Sequence, residues 1–485
     1  MCRKLLSPAS LLLVVNLAVF RLLAGSAVAA NLPVTISLGL QKDGAEVSPD
    51  FMGLSFEVSQ LMPREDGSHY FSLQNKPLLQ LFRTLGIRNL RIGGNTSDRD
   101  ARQLPAESDL DSLFGFAGAA NVKIIYCLRL KDGDPQSDAH IVKYILDRYG
   151  PMLEAFSIGQ EPSAYAKSNG YSYEMFRADW KKFADVIAAA ASEVKFCGPS
   201  VHNNATWTRR FLADFGHSNH VALATAHLYP GGAGGKVPTP EIGRDRMLSN
   251  SFTLVYQKLR DGSLPACEAS GVPFRLEEVN NYFNGGAENV SSTFAAALWG
   301  LDFSYWWAAH GAAGVNFHTG DKVAAGSNLH PSKYTAYFTA ADGYLIRPLG
   351  YGLKAFDLGC HGRLLPVSIS NPHDLNLSAY GVLGDDKNIY VTIINKEHGA
   401  TARSAEATLA LPAGLAHGDV IYLSAPDHDV AATSGVTLGG AEIKNDANWN
   451  GQWTNLALPE GTGSANIVVS MPTASAAIVR LVLKP

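Results

Sequence analysis

Between about residues 50 and 355, short runs rich in β-branched and aromatic residues alternate with longer segments whose apolar positions recur at helical spacing. The runs fall at 51–56, 89–92, 122–128, 155–158, 195–197, 222–226, 273–277 and 314–317. Such alternation is the sequence form of βα units around a parallel sheet, whose strands are buried on both faces and read as nearly continuous apolar stretches. Eight runs predict a closed (β/α)8 barrel over residues 50–358. The segment 173–191 illustrates the helical half: Phe176, Trp180, Phe183, Val186 and Ile187 recur at near-helical spacing and predict a packed face.

Beyond about Gly359 the helical spacing stops. Runs at 375–383, 388–394, 405–411, 419–423, 465–471 and 476–483, separated by Gly, Pro, Asn and Asp, predict an antiparallel β-sandwich over 359–485. Its size of about 125 residues is usual for one domain. Val34, Ile36, Leu38 and Leu40 alternate within 31–49 and predict a further strand joining that sandwich. The fold class expected is therefore α/β, a TIM barrel with a C-terminal antiparallel β-sandwich. Two units agree with a length of 485 residues, beyond the roughly 250 at which a single core stops growing.

Residues 1–30 carry a basic start (Arg3, Lys4), an apolar stretch from Leu11 to Phe20 and the small-residue run Ala27-Val28-Ala29-Ala30. This is the pattern of a cleaved secretory signal peptide and predicts a secreted or periplasmic protein; Asn16 and Arg21 make the stretch a poor membrane span. Loss of Arg3, Lys4 and Arg21 takes the formal charge from −4 to about −7. A mildly acidic chain without a basic run has no electrostatic footing on nucleic acid. Hydrophobic residues at 46% against 17% charged exclude a disordered chain. Cys127, Cys197, Cys267 and Cys360 are widely spaced with no C-x-x-C pair, which predicts buried free thiols and no metal site.

Functional residues of such a barrel sit at the C-terminal ends of its strands. Two carboxylate positions meet this condition: Glu161, closing the fourth run in Gly159-Gln160-Glu161-Pro162, and Glu277-Glu278, closing the seventh. Glycoside cleavage needs an acid to protonate the departing oxygen and a carboxylate to capture the anomeric carbon, and in retaining enzymes the two stand about 5–5.5 Å apart. The negative nucleophile would then lift the pKa of the acid. With 44 acidic residues in the chain, two glutamates do not identify the chemistry by themselves. The Gly231-to-Lys236 stretch lacks the required first Gly (Pro230) and the final Ser/Thr (Val237) of a phosphate loop, and neither H-e-x-x-H nor G-x-S-x-G occurs.

The ordered set Gly53-Leu54-Ser55-Phe56-Glu57, Leu90-Arg91-Ile92-Gly93-Gly94-Asn95-Thr96, Gly159-Gln160-Glu161-Pro162, Ala226-His227-Leu228-Tyr229, Glu278-Val279-Asn280-Asn281, Gly285-Gly286 and Asn316-Phe317-His318 resembles glycoside hydrolase family 79, the β-glucuronidase and heparanase family. The resemblance implies a retaining barrel enzyme without cofactor or metal, acting on a β-glucuronide or uronate-containing glycan, with Glu161 as acid/base and Glu278 as nucleophile. Glu277 is the competing nucleophile, and strand alternation would turn it away from the lumen if Glu278 faces inward. The chain departs from the family at Gln160, where Asn is usual, which bears on the contact to the sugar hydroxyl beside the anomeric carbon.

Glu57 and Asn95 would hold sugar hydroxyls or else brace loops, and Asn95-Thr96-Ser97 also reads as a glycosylation sequon that a sugar site would exclude. His227 and Tyr229 would orient Glu278 or touch sugar, Asn280 belongs to the implied substrate set, and Tyr282, Phe283, His318 and Tyr334 would wall the subsite or simply pack. A uronate carboxylate needs donors, which the loop from Thr319 through Lys322 to Asn328, with Tyr334 beyond, is expected to supply. Alternatives are an endo-acting, heparanase-like hydrolase, a retaining hydrolase of another sugar, and a carbohydrate-binding protein without turnover.

Overall fold

In a computed structural model of the chain, the described residues are 31–40, 44–98, 104–165, 170–321, 331–411, 415–457 and 465–484. The signal-like leader lies outside them. All eight predicted runs are strands of one closed parallel barrel: β2 (Met52–Glu57), β3 (Asn89–Gly93), β4 (Lys123–Leu128), β5 (Leu153–Ile158), β6 (Phe196–His202), β7 (Val221–Leu228), β8 (Phe274–Val279) and β9 (Ala312–His318). The helix expected over 173–191 is Tyr173–Ala190, with Phe176, Trp180, Phe183 and Ile187 buried. Ser172 caps it by accepting from the Met175 backbone N–H, which satisfies one of the four donors a helix start leaves open.

Two barrel strands differ instructively from the sequence reading. β6 continues to His202 through Gly198-Pro199-Ser200, which reads as a turn. Proline is tolerated there because the pairing with β7 breaks register between Pro199 and Val201, and irregularities are where strands accept a residue without an N–H. On β8 one step of β7, from Ala226 to His227, is matched by two, from Leu276 to Glu278. Glu277 is the extra residue of that bulge.

The floor of the barrel is polar and closed. Arg275, fully buried, donates to Asn316 Oδ1 at 2.8 Å and to the Asp50 carbonyl at 2.8 Å, while Asn316 donates to Asn89 at 2.7 Å. Above it, Ile125, Ala155, Cys197 and Leu223 form a small apolar layer. Cys127, Cys197, Cys267 and Cys360 are buried free thiols.

Eleven of the remaining described strands form two facing sheets. One is ordered β13 (Val367–Ser370), β1 (Leu32–Leu38), β16 (Ala405–Leu411) and β20 (Ala465–Met471). The other runs β12 (Gly362–Leu365), β14 (Leu377–Gly384), β15 (Ile389–Asn395), β21 (Ser475–Leu483), β17 (Leu415–Ser424) and β18 (Thr437–Leu438), with β19 (Thr454–Asn455) also on β17. Val34, Ile36, Val391, Ile393, Leu409, Val469 and Val479 fill the space between them. All pairs in the two sheets are antiparallel except β1 with β16, which is parallel. β1 precedes the whole barrel, so no hairpin dictates its direction. A hairpin of β10 (Tyr337–Ala340) and β11 (Gly343–Ile346) follows the barrel, and the sequence pattern had not indicated it.

The sandwich leans on the helix Phe294–Ala309, where Tyr305 stacks on Tyr380 at 4.9 Å and donates or accepts with Thr392 at 2.8 Å. Lys396 and the Tyr380 hydroxyl both reach Asp302 at 2.7 Å. Among the described residues no helix is long and apolar enough to cross a membrane.

Ile36 is completely buried although it lies more than 300 positions before most of its neighbours in sequence. Ile36→Ala should cost about 2–5 kcal/mol, as core truncations do. Denaturant unfolding followed by circular dichroism checks this; an unchanged midpoint would mean that β1 is a bystander in the sandwich core.

Candidate active site

A cavity of about 580 Å³ opens at the C-terminal ends of the barrel strands, among Glu57, Asn95, Gln160, Glu161, His202, Tyr229, Glu278, Phe283, His318 and Tyr334. The side chains arrive there from the ends of β2, β3, β5, β6, β7, β8 and β9 or from the segments after them, so the barrel converts distant sequence positions into one ring. Glu161 sits in the left-handed region, φ 47° and ψ 54°, a conformation that costs a non-glycine residue energy and that its neighbours must hold. They do so directly: its N–H donates to the Ser200 carbonyl at 2.9 Å, and the N–H of Gln160 donates to Asp98 Oδ2 at 3.0 Å.

Glu278 is nearly buried and both of its oxygens are engaged. Oε1 accepts from the Tyr229 hydroxyl at 2.8 Å, and Oε2 accepts from Arg91 at 2.7 Å and from the Gln160 amide at 3.0 Å. Arg91, fully buried on β3, also donates to the Gln160 carbonyl oxygen and to Ser55 Oγ at 3.3 Å. Burial raises the pKa of Glu278, but His318, His227, Arg91 and the Tyr229 hydroxyl outweigh it and hold the carboxyl well below the ordinary range. The longer amide of Gln160 therefore spans guanidinium and carboxylate together.

His227 lies behind the two carboxylates. Its Nδ1 is 3.0 Å from Glu161 Oε1 and 3.9 Å from Glu278 Oε2, and its Nε2 is 3.4 Å from Glu277 Oε1. Burial pushes the imidazole pKa down, yet the carboxylates of Glu278, Glu161 and Glu277 raise it to about 9. The partner shift follows. Burial and the Glu278 charge raise Glu161, but the His227 contact prevails and leaves it below its ordinary value, the reverse of the lift expected from the sequence.

Several sequence expectations meet the structure differently. Glu277 does not point away: the bulge breaks the two-residue alternation, and its carboxylate lies fully buried against His227 and, at 3.8 Å, Cys197 Sγ. His227, Asn280 and Tyr282 are absent from the cavity lining. Asn280 instead donates to the His318 and Tyr334 carbonyls, at 3.0 and 3.2 Å, and the Tyr282 hydroxyl donates to the Gly243 carbonyl at 2.8 Å. Both are braces for the loops above the barrel.

Glu57 lines the cavity but also braces: it accepts from the N–H groups of Asn95 and Thr96, at 3.1 and 2.8 Å, and stands 3.7 Å from His318 Nε2. A side chain at Gly94 would collide with it, since a Cβ there would lie 2.3 Å from the Glu57 carboxyl carbon. Of the loop after β9, Lys322, Ser327 and Asn328 lie outside the described residues, Thr319 is buried, and Asp321 accepts from the Tyr70 hydroxyl at 2.8 Å.

Arg91, Ser55 and His202 belong to the site without having been singled out. An arginine inside an otherwise apolar buried strand was a legible signal for the first. His202 was hidden because the Gly198-Pro199 pair reads as the end of β6. Glu161, His227 and Glu278 place one ligand atom each within 4.8 Å of one another, a spacing that a metal ion also accepts.

Two opposite pH dependences follow. The Glu278 contribution to stability is present above the ordinary carboxylate pKa and is lost as pH falls below it. That of His227 is complete below 6.5 and disappears as pH rises through about 9. Thermal unfolding should therefore show a midpoint that declines across this upper window and a flatter profile for His227→Gln; parallel profiles would contradict the assignment.

No protein-family model matches the chain. It is 25% identical over 194 residues to a β-glucuronidase of Aspergillus niger, covering 35% of each chain. It is 30% identical over 158 residues to a β-glucuronidase of Neurospora crassa, covering 30% of this chain and 27% of that one. The similarity thus spans about a third of the length of these curated relatives. In three dimensions the chain resembles a 4-O-α-L-rhamnosyl-β-D-glucuronidase from Fusarium oxysporum solved with Rha-GlcA, with TM-score 0.71 and 16% identity over 92% of this chain and 99% of that one. At that identity the likeness is one of fold. These findings agree with the resemblance to glycoside hydrolase family 79 carried by the sequence motifs.

Proposed function

We propose that the protein is a retaining glycoside hydrolase of the β-glucuronidase type, releasing terminal β-linked glucuronic acid. The observation that carries this reading is the approach of Glu161 and Glu278: one carboxylate oxygen of each lies within 4.8 Å of the other at the cavity. Retaining enzymes hold the pair about 5–5.5 Å apart, whereas inverting ones leave about 6.5–9.5 Å for a water between them. Similarity to two fungal β-glucuronidases supports the choice of sugar.

In the first step Glu278 attacks the anomeric carbon while Glu161 gives its proton to the departing oxygen. In the second, Glu161 takes a proton from water, which displaces Glu278 from the sugar. Arg91 and Tyr229 keep the nucleophile ionised before attack and stabilise it again as a leaving carboxylate, at 2.7 and 2.8 Å from its oxygens. Tyr334 and His318 on the cavity wall are side chains able to donate to a uronate carboxylate. The cavity, walled by Phe283, Tyr229 and Tyr334, suits the end of a glycan or a small aglycone.

Purified protein should hydrolyse an aryl β-D-glucuronide in preference to the matching β-D-glucoside, with β-glucuronic acid the first product by NMR. Glu278→Ala should lose at least about a thousandfold, and Glu161→Ala about 10²–10⁴-fold, less for acidic leaving groups that need no protonation. Full activity in either folded variant, inversion of configuration, or sugar binding without turnover would each overturn the reading.

A further inference from the structure

Three carboxylates and a guanidinium converge on one imidazole that has no exposed surface. Glu161 approaches His227 from the turn after β5, Glu277 and Glu278 from β8, and Arg91 from β3. Behind them Cys197 and Ser200 of β6 face Glu277, while His202 faces Glu161 and His318 faces Glu278. His227 Nε2 and Glu277 Oε1, 3.4 Å apart, are both buried and neither makes a hydrogen bond to any other group. Two such atoms are costly unless they serve each other. A barrel with strict alternation on β8 would not have brought them together; the bulge at Glu277 does.

We propose that Glu277 is a positioning residue for the acid/base group, holding His227 as an imidazolium that stores the proton Glu161 delivers to the leaving oxygen. This rests on the hydrolase reading above. The proton moves from Nδ1 to Glu161 Oε1 along the 3.0 Å contact, leaving a neutral imidazole whose Nε2–H still faces Glu277. Glu161 passes the proton to the glycosidic oxygen as the C–O bond breaks. In the second step Glu161 takes one proton from water and can return it to Nδ1, so the ring ends as it began. The arrangement resolves a conflict in the site: a general acid must hold a proton, yet Glu161 is below its ordinary pKa and His227 is at about 9. The pair keeps one proton between them, mostly on the ring.

The test uses the full protein and two readouts. Imidazole signals of ¹⁵N-histidine-labelled protein, with His227 identified through His227→Gln, give the ring's titration midpoint without any substrate. Glu277→Gln keeps the shape and removes the charge, and should lower that midpoint by at least one pH unit; Glu277→Asp, which keeps the charge, should restore most of the difference. The basic limb of kcat/KM for an aryl glucuronide should move down with it. An unmoved midpoint in Glu277→Gln overturns proton storage. A moved midpoint with an unmoved basic limb overturns the transfer to Glu161. If no glycoside is turned over, the hydrolase reading fails on its own, while the titration still decides whether Glu277 charges the ring. Should Glu277→Gln not fold, the wild-type midpoint decides: a value at or below the ordinary histidine range overturns the proposal.

Discussion

A guanidinium with no exposed surface sets the charge balance of this barrel. Arg91 stands on β3 between Glu278 and Gln160, and without it the mouth would hold three buried or nearly buried carboxylates, at 161, 277 and 278, with only histidines to offset them. Burying a charge is tolerable when it is paired and hydrogen-bonded, and removing one partner leaves the other exposed to the full desolvation penalty. Gln160 completes the arrangement by accepting from Arg91 and donating to Glu278, so the amide aligns cation and anion. The extra methylene relative to asparagine is absorbed in that bridge.

From this balance follows the division of labour between two carboxylates of the same chemical type. Glu278 receives Arg91, Gln160 and Tyr229 and stays ionised. Glu161 is instead paired with His227, whose pKa the surrounding carboxylates raise to about 9. Both carboxyls are held below their ordinary pKa, Glu278 by His318, His227, Arg91 and the Tyr229 hydroxyl and Glu161 by His227, so what separates them is the kind of partner each has. That difference is produced by where each neighbour comes from: β3 and the turns after β5 and β7 bring Arg91, Gln160 and Tyr229 to Glu278, while β7 brings His227 to Glu161 and the β8 bulge brings Glu277 to His227.

The rest of the chain keeps this geometry in place. The polar floor around Arg275 ties β2, β3, β8 and β9 together beneath the site, and Asn280 ties the loops of β8 and β9 above it. The sandwich braces the outside through the helix Phe294–Ala309, where aromatic stacking is reinforced by an ion pair and a hydrogen bond converging on Asp302. Positions held from below, above and outside leave the strained Glu161 conformation affordable.

Hydrophobic patterning by itself determined the eight barrel strands, the long helix at Tyr173–Ala190 and the longer strands of the sandwich, but not the short β12, β13, β18 and β19, because burial on one or both faces writes a period into the chain only where a strand is long enough to show it. Strand-end position likewise marked Glu57, Asn95, Glu161, Tyr229, Glu278 and His318, since a barrel gathers those ends at one mouth whatever the loops do. What patterning could not carry was any feature that breaks a period. The continuation of β6 through Gly198-Pro199 placed His202 in the site, and the bulge on β8 turned Glu277 inward to His227. Only the tertiary structure decided which residue would be the extra one, because a bulge is selected by the partner strands on either side of it and not by the local sequence. The same holds for the proton: side-chain identity puts a histidine and three glutamates near one another, but their relative pKa values depend on burial and on distances of 3.0 to 3.9 Å that no spacing along the chain encodes.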